Sequence, residues 1–189
     1  MRHKYETRGI VLARTATGEA TAHLVLLTSD LGLVRARAQS VRRSGARLAA
    51  SLATFAESNF VLVRGKEEWR IAGAVLEENW FRRLATRSAR ERAGRVTGLL
   101  LRLVAGEARD TELYTIMNGF FNALATLPER EQDAAEVLAA LYLLRTLGLE
   151  VRGFSPAVAD FSPLCISDAG RERAAYIARI NNGIAASGL

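Results

Sequence analysis

The chain has 189 residues, of which 26 are Lys or Arg and 20 are Asp or Glu, leaving a formal charge of +6. That balance draws a protein toward polyanions such as nucleic acid, anionic lipid or an acidic protein tail, and it decides nothing about the fold. With 49% hydrophobic residues the chain can bury a core, which excludes wholesale disorder.

The first 79 residues read as strands. Residues 5–14 (YETRGIVLAR) are rich in β-branched and apolar types and end at a turn cluster around Gly18. Residues 21–29 follow, then a turn, DLG, at 30–32. Residues 33–39 (LVRARAQ) alternate Val34, Ala36 and Ala38 with Arg35, Arg37 and Gln39, the period-two mark of a half-buried strand. The two arginines therefore share one face. Residues 54–65 and 68–78 form a further pair around the turn RGKE. Five short strands with one long connection between the third and fourth are what a small closed Greek-key barrel needs. The segment SGARLAASLA in that connection can make a helical turn or two.

From Trp80 onward the periodicity is helical. Residues 88–107 carry an apolar stripe through Val96, Leu99, Leu100, Leu103 and Val104. Asp110 is placed to cap the next helix, which Pro128 stops. Residues 133–148 form the strongest helical pattern, with Asp133 as cap, Glu136 at the capping-box offset and Gly148 as C-cap. Residues 149–164 read as an irregular strap, and a final helix is expected over 168–186. The expected fold class is α+β: an N-terminal five-stranded OB-fold-like β-barrel (1–79) followed by an all-helical domain (80–189). An SH3-like barrel is the alternative for the first part.

Catalytic chemistry finds little support. There is no phosphate-binding G-x-x-x-x-G-K-[ST], no G-x-G-x-x-G and no G-x-S-x-G. The adjacent pairs Glu67/Glu68 and Glu77/Glu78 point to opposite strand faces and are not convergent acid–base pairs. Cys165 is the single cysteine, and with His3 and His23 it cannot build a structural zinc site. It also permits no internal disulfide, which fits a reducing compartment. The N-terminal stretch lacks a signal-peptide core, and no run approaches the ~20 apolar residues of a membrane span. The expectation is a cytoplasmic protein that is not an enzyme, takes no metal or cofactor and has no membrane partner.

The basic stretch remains. From Leu31 through Ala56 there is no Asp or Glu, while Arg35, Arg37, Arg42, Arg43 and Arg47 all fall within it. With no acid nearby in sequence, an external anion is the natural partner. Arg14, Arg64, Lys66 and Arg70 lie at strand ends or turns and can extend the stripe. The DNA-binding candidates are Arg35, Arg37, Arg42, Arg43, Arg47, Arg14 and Lys66, whose phosphate contacts would give affinity without sequence preference. Arg use this high also follows from a GC-rich genome, so clusters weigh more than single residues. Tyr5, Phe55, Phe60 and Trp69 are candidate base-stacking platforms, although Phe60 and Trp69 sit in strand patterns that favour the core. A second basic run holds Arg82, Arg83, Arg87, Arg90, Arg92 and Arg95. Arg83, Arg87 and Arg90 fall on one helical face, which is either solvated or a DNA contact.

The order of motifs resembles a known family. TRGIVL in the opening strand, the G-E turn, L-T-x-x-x-G, R-A-R-A, V-R-R, R-L and the final G-K are similar to the N-terminal domain of the bacterial recombination-repair family RecO. LYLLRTLGLEV resembles that family's C-terminal part more loosely. The resemblance implies an OB fold followed by a helical domain, and binding of single- and double-stranded DNA. It implies annealing of complementary strands and action with a RecR-like protein and the tail of single-stranded DNA-binding protein, indirectly loading RecA. It places the family's DNA contacts on Arg35, Arg37, Arg42, Arg43 and Arg47. Many members carry a four-cysteine zinc module; with Cys165 alone, this chain has no intact one. The residues also fit a protein-interaction scaffold whose helical half docks a partner, or an RNA-binding OB-fold protein.

Overall fold

The computed structural model describes residues 3–17, 21–39, 45–66, 68–104, 106–149 and 159–188. The alternating N-terminal segments form β1 (Lys4–Thr17), β2 (Thr21–Thr28), β3 (Gly32–Gln39), β4 (Ala56–Arg64) and β5 (Trp69–Asn79). They close into a barrel in the order β1-β2-β3-β5-β4. Four of the pairings are antiparallel, and β3 with β5 is parallel. A parallel pairing requires a crossover rather than a hairpin. The connection holding α1 (Gly45–Ser51), together with β4, supplies it. This is the OB-fold-like arrangement. Register shifts at Val11/Ala13 in β1 and at two points between β4 and β5 bend the strands toward closure.

Alternate residues fill the barrel. Leu24 and Leu26, Val34 and Ala36, Phe60 and Leu62, and Trp69 form one buried cluster, which Leu52, just past α1, joins. A tight turn leads into β3. Thr28 Oγ1 accepts from Leu31 N at 3.0 Å and donates to Gly32 O at 2.9 Å. Gly32 has φ +68, and a Cβ there would lie 2.1 Å from Ala108 O. Only glycine fits, because Leu33 and Ala108 exchange backbone hydrogen bonds of 2.8 and 3.0 Å.

The helices are α2 (Trp80–Arg83), α3 (Arg87–Leu103), α4 (Glu112–Thr126), α5 (Gln132–Thr146), α6 (Pro163–Arg171) and α7 (Arg173–Ala186). The chain divides into two compact units: Met1–Arg83 with Gly106–Tyr114, and Leu84–Ala105 with Thr115–Leu189. In the second, α5 is buried nearly all round, from Ala134 to Leu144, as its apolar sequence requires. Gly148 (φ +72) ends it: Gly148 N bonds Arg145 O at 2.9 Å and Leu149 N bonds Leu144 O at 2.8 Å, the paired bonds of a glycine C-cap.

Several helical expectations are corrected. The face joining Arg83 to Arg87 and Arg90 does not exist as one helix, because α2 ends at Arg83 and α3 begins at Arg87. Thr86 caps α3, accepting from Ala89 N at 3.1 Å. α5 starts at Gln132, so Asp133 lies inside its first turn and makes no cap. The expected last helix is two, broken at Glu172, with Pro163 opening the first. Asp110 does accept from Glu112 N at 2.9 Å, at the start of α4. Most of the irregular strap read at 149–164 lies outside the described residues.

Candidate nucleic-acid interface

The strand registers place the basic residues. His23 on β2 stands opposite Arg37 on β3, and Arg37 stands opposite Arg70 on β5. Thr15 on β1 completes the row. The next row holds Ala13, Val25 and Arg35. Because Ala36 and Ala38 point into the core, these rows face outward. Arg35 and Arg37 are two residues apart, about 6.6 Å along the strand.

Two arginines in direct cross-strand register repel each other, and such pairs destabilise a sheet. One carboxylate moderates the repulsion. Glu68 lies 3.8 Å from Arg37 Nη1 and 3.6 Å from His23 Nδ1, both beyond hydrogen-bond length. Arg37 Nε is buried and has no hydrogen-bond partner among the described residues. Its donors are therefore largely unspent. Arg35 is exposed and forms no ion pair among the described residues. A cavity of about 420 Å³ lies beside this face, lined by Thr15, His23, Arg35, Arg64, Glu68 and Glu107 among others.

The other candidates are distributed differently. Arg14 is exposed, but it is in register with Leu24, whose side chain fills the core. Its row is thus the opposite one to that of Arg35 and Arg37. Lys66 is exposed in the β4–β5 turn, which Gly65 N closes onto Glu68 O at 2.9 Å. Arg47 falls in α1, and its side chain lies outside the described residues, as do Arg42 and Arg43 altogether. Arg64 sits over the Trp69 ring at 4.8 Å and is held by Glu107 at 3.1 and 3.2 Å. Arg70 was legible only as a possible extension; barrel closure brings it beside Arg37.

Of the aromatic candidates, Phe60 is core and Phe55 is buried. Trp69 is buried and meets Tyr5 edge-on, with ring centroids 5.2 Å apart. Tyr5 is the exposed member.

The second basic run is largely committed to internal partners. Within the helical unit, Arg92 bonds Glu136 at 2.7 Å and reaches Asp133 at 3.4 Å. Arg95 bonds Glu136 at 2.6 and 2.8 Å, and Arg173 bonds Asp133 at 2.6 Å. Arg87 pairs with Glu91, and Arg83 pairs with Glu78. Asp133 and Glu136, expected as capping residues, are the acceptors instead. Among the described residues there is no group of three or more His, Cys, Asp or Glu able to hold a metal, and no helix long and apolar enough to cross a membrane.

A closed OB-fold-like barrel with a basic outer strand face, continued by a helical unit, defines the class of this chain. The family described as Recombination protein O N terminal matches residues 1–79. The DNA repair protein RecO of Thermobifida fusca (strain YX) is 31% identical over 180 residues, covering 91% of this chain and 69% of that protein. That of Dehalococcoides mccartyi (strain ATCC BAA-2266 / KCTC 15142 / 195) is 28% identical over 158 residues, 84% of this chain and 60% of the relative. The RecO of Bifidobacterium longum subsp. infantis is 26% identical, covering 95% of this chain and 72% of its own. The chain belongs to the RecO family. It spans only 60% of the length of the Dehalococcoides relative.

Proposed function

We propose that this protein acts in DNA repair and recombination by binding DNA through the outer face of β2, β3 and β5. The supporting observation is the row His23–Arg37–Arg70 with Arg35 beside it. Like charges in register, with one distant carboxylate between them, make a surface whose repulsion an incoming phosphate relieves. The relatives' printed name, DNA repair protein RecO, supports the same reading.

The finer activity follows from electrostatics. A surface that neutralises phosphates on two strands lowers their mutual repulsion and so favours annealing. Action with RecR-like protein and the tail of single-stranded DNA-binding protein, helping to load RecA, is the wider role we assign by family membership. Nothing in this role asks for a catalytic group.

The test is fluorescence anisotropy of a labelled oligothymidylate over a salt series, wild type beside Arg35→Ala/Arg37→Ala. Losing two phosphate contacts should flatten the slope of log K against log salt by about 1.4. Affinity near 100 mM salt should fall about tenfold or more. Coincident isotherms, or no wild-type binding at low salt, would overturn the assignment.

A further inference from the structure

A second cavity, of about 490 Å³, opens in the barrel unit, within the size range of small-ligand pockets. Tyr5, Trp69, Arg64, Arg109, Glu107 and Asp30 line it. Its charges are unevenly committed. Arg64 is spent on Glu107 and on the Trp69 ring. Asp30 accepts from Ser29 Oγ at 2.6 Å and from Thr7 Oγ1 at 2.7 Å, and these bonds hold its carboxyl below the ordinary carboxylate value. Arg109 is exposed and forms no ion pair among the described residues. The aromatic wall is equally uneven: Trp69 is 8% exposed, under Arg64, whereas Tyr5 is 41% exposed.

An open aromatic ring beside an uncommitted cation suits a planar ring linked to an anion. A nucleotide unit of a single strand has both. The cavity also shares Arg64 and Glu107 with the cavity that Arg35 lines, so the two spaces meet at that ion pair. A strand held by its phosphates on Arg35 can continue past the pair and present a base to Tyr5.

We infer that this cavity is a base-stacking subsite for single-stranded DNA, with one base on Tyr5 and the adjoining phosphate on Arg109. The inference rests on the DNA-binding reading of the Arg35–Arg37 face and deepens it. A stacked base contributes sequence-tolerant affinity and separates single strands from duplex, whose bases are already stacked.

The experiment uses the full chain and two labelled probes of equal length and charge: oligothymidylate, and an oligonucleotide of abasic tetrahydrofuran nucleotides. Wild type should bind the base-bearing probe about fivefold or more tighter than the abasic one. Tyr5→Leu, which keeps an apolar side chain against Trp69, should lose that preference while binding the abasic probe unchanged. Tyr5→Phe should keep the preference, and Arg109→Ala should weaken both probes. Equal wild-type affinity for the two probes would overturn the subsite, as would a preference that survives in Tyr5→Leu. If Arg35→Ala/Arg37→Ala loses both probes while Tyr5→Leu matches wild type, the phosphate face stands and the base subsite alone falls. If wild type binds neither probe, both readings fall.

Discussion

Glu57 shows how much one side chain can determine. It is fully buried, a costly place for a carboxylate unless every oxygen is satisfied. It accepts from Arg8 Nε at 2.5 Å, from Tyr114 Oη at 2.5 Å and from Trp80 Nε1 at 2.9 Å. These donors come from β1, from the start of α4 and from α2, so one carboxylate joins them to β4. Burial, then the bond to Glu57, pushes the Tyr114 phenol well up, and it remains a donor across the physiological range. Glu57→Ala would remove the carboxylate to which the Trp80 N–H and the Tyr114 O–H donate. The expected cost is on the order of 2–5 kcal/mol, read as a lower denaturation midpoint in urea. The sequence conceals this role. Alternation along β4 sends Phe60 and Leu62 inward, which leaves Glu57 outward, where an acid reads as solvated. Residues far along the chain, Trp80 and Tyr114, cover it. Arg35 and Arg37 were legible for the converse reason: their placement depends on local alternation alone.

At the scale of elements, the turn before β3 and the segment 106–114 depend on each other. Gly32→Ala would force φ +68 on a residue with a Cβ and drive that atom into Ala108 O. The left-handed backbone alone costs about 1–2 kcal/mol, and the clash adds to it. Thermal unfolding should show a clearly lowered Tm. The helices α3, α5 and α7 are joined by charge, and this gives a pH dependence with a definite sign. The Arg173 hydrogen bond, helped by the charges of Arg173 and Arg92, holds Asp133 below its ordinary 3.8. A carboxyl depressed in the folded state stabilises the fold above the unfolded value and loses that contribution as pH falls through the folded one. The Tm gap between wild type and Asp133→Asn should therefore be constant from neutrality to about pH 4 and close below it. A gap that persists in strong acid would show that the bond does not carry the difference. The sequence offered Asp133 and Glu136 as a capping box because that pattern is local. Their actual partners, Arg92, Arg95 and Arg173, are about 40 residues away in the chain, beyond any spacing rule. The five strands, by contrast, were legible nearly to their ends, since turn residues and alternation mark them. The break between α2 and α3 had its own signal in Thr86, a good N-cap that the longer basic run obscured.

Over the whole molecule, the charge of +6 is not spread evenly in kind. In the helical unit, Arg87, Arg92, Arg95 and Arg173 each meet a carboxylate of that same unit. In the barrel unit, Arg35 has no ion pair among the described residues, and Arg37 has only the contact to Glu68 at 3.8 Å. If DNA affinity came from net charge, removing any two arginines would weaken it equally. If it comes from the strand face, position decides. Near physiological salt the Debye length is about 8 Å, so a charge counts chiefly where a phosphate lies against it. Two variants of identical net charge separate these cases. Arg87→Ala/Arg102→Ala removes two exposed arginines of α3, one of them 92% exposed, and should bind oligothymidylate within about twofold of wild type at ~0.15 M salt. Arg35→Ala/Arg37→Ala should lose tenfold or more in the same titration and show the flatter salt slope. Equal losses would mean that the protein holds DNA as a diffuse cation and that the β3 face has no special part. A loss confined to the second variant would tie the affinity to two residues of one strand and to the barrel closure that sets Arg70 beside them.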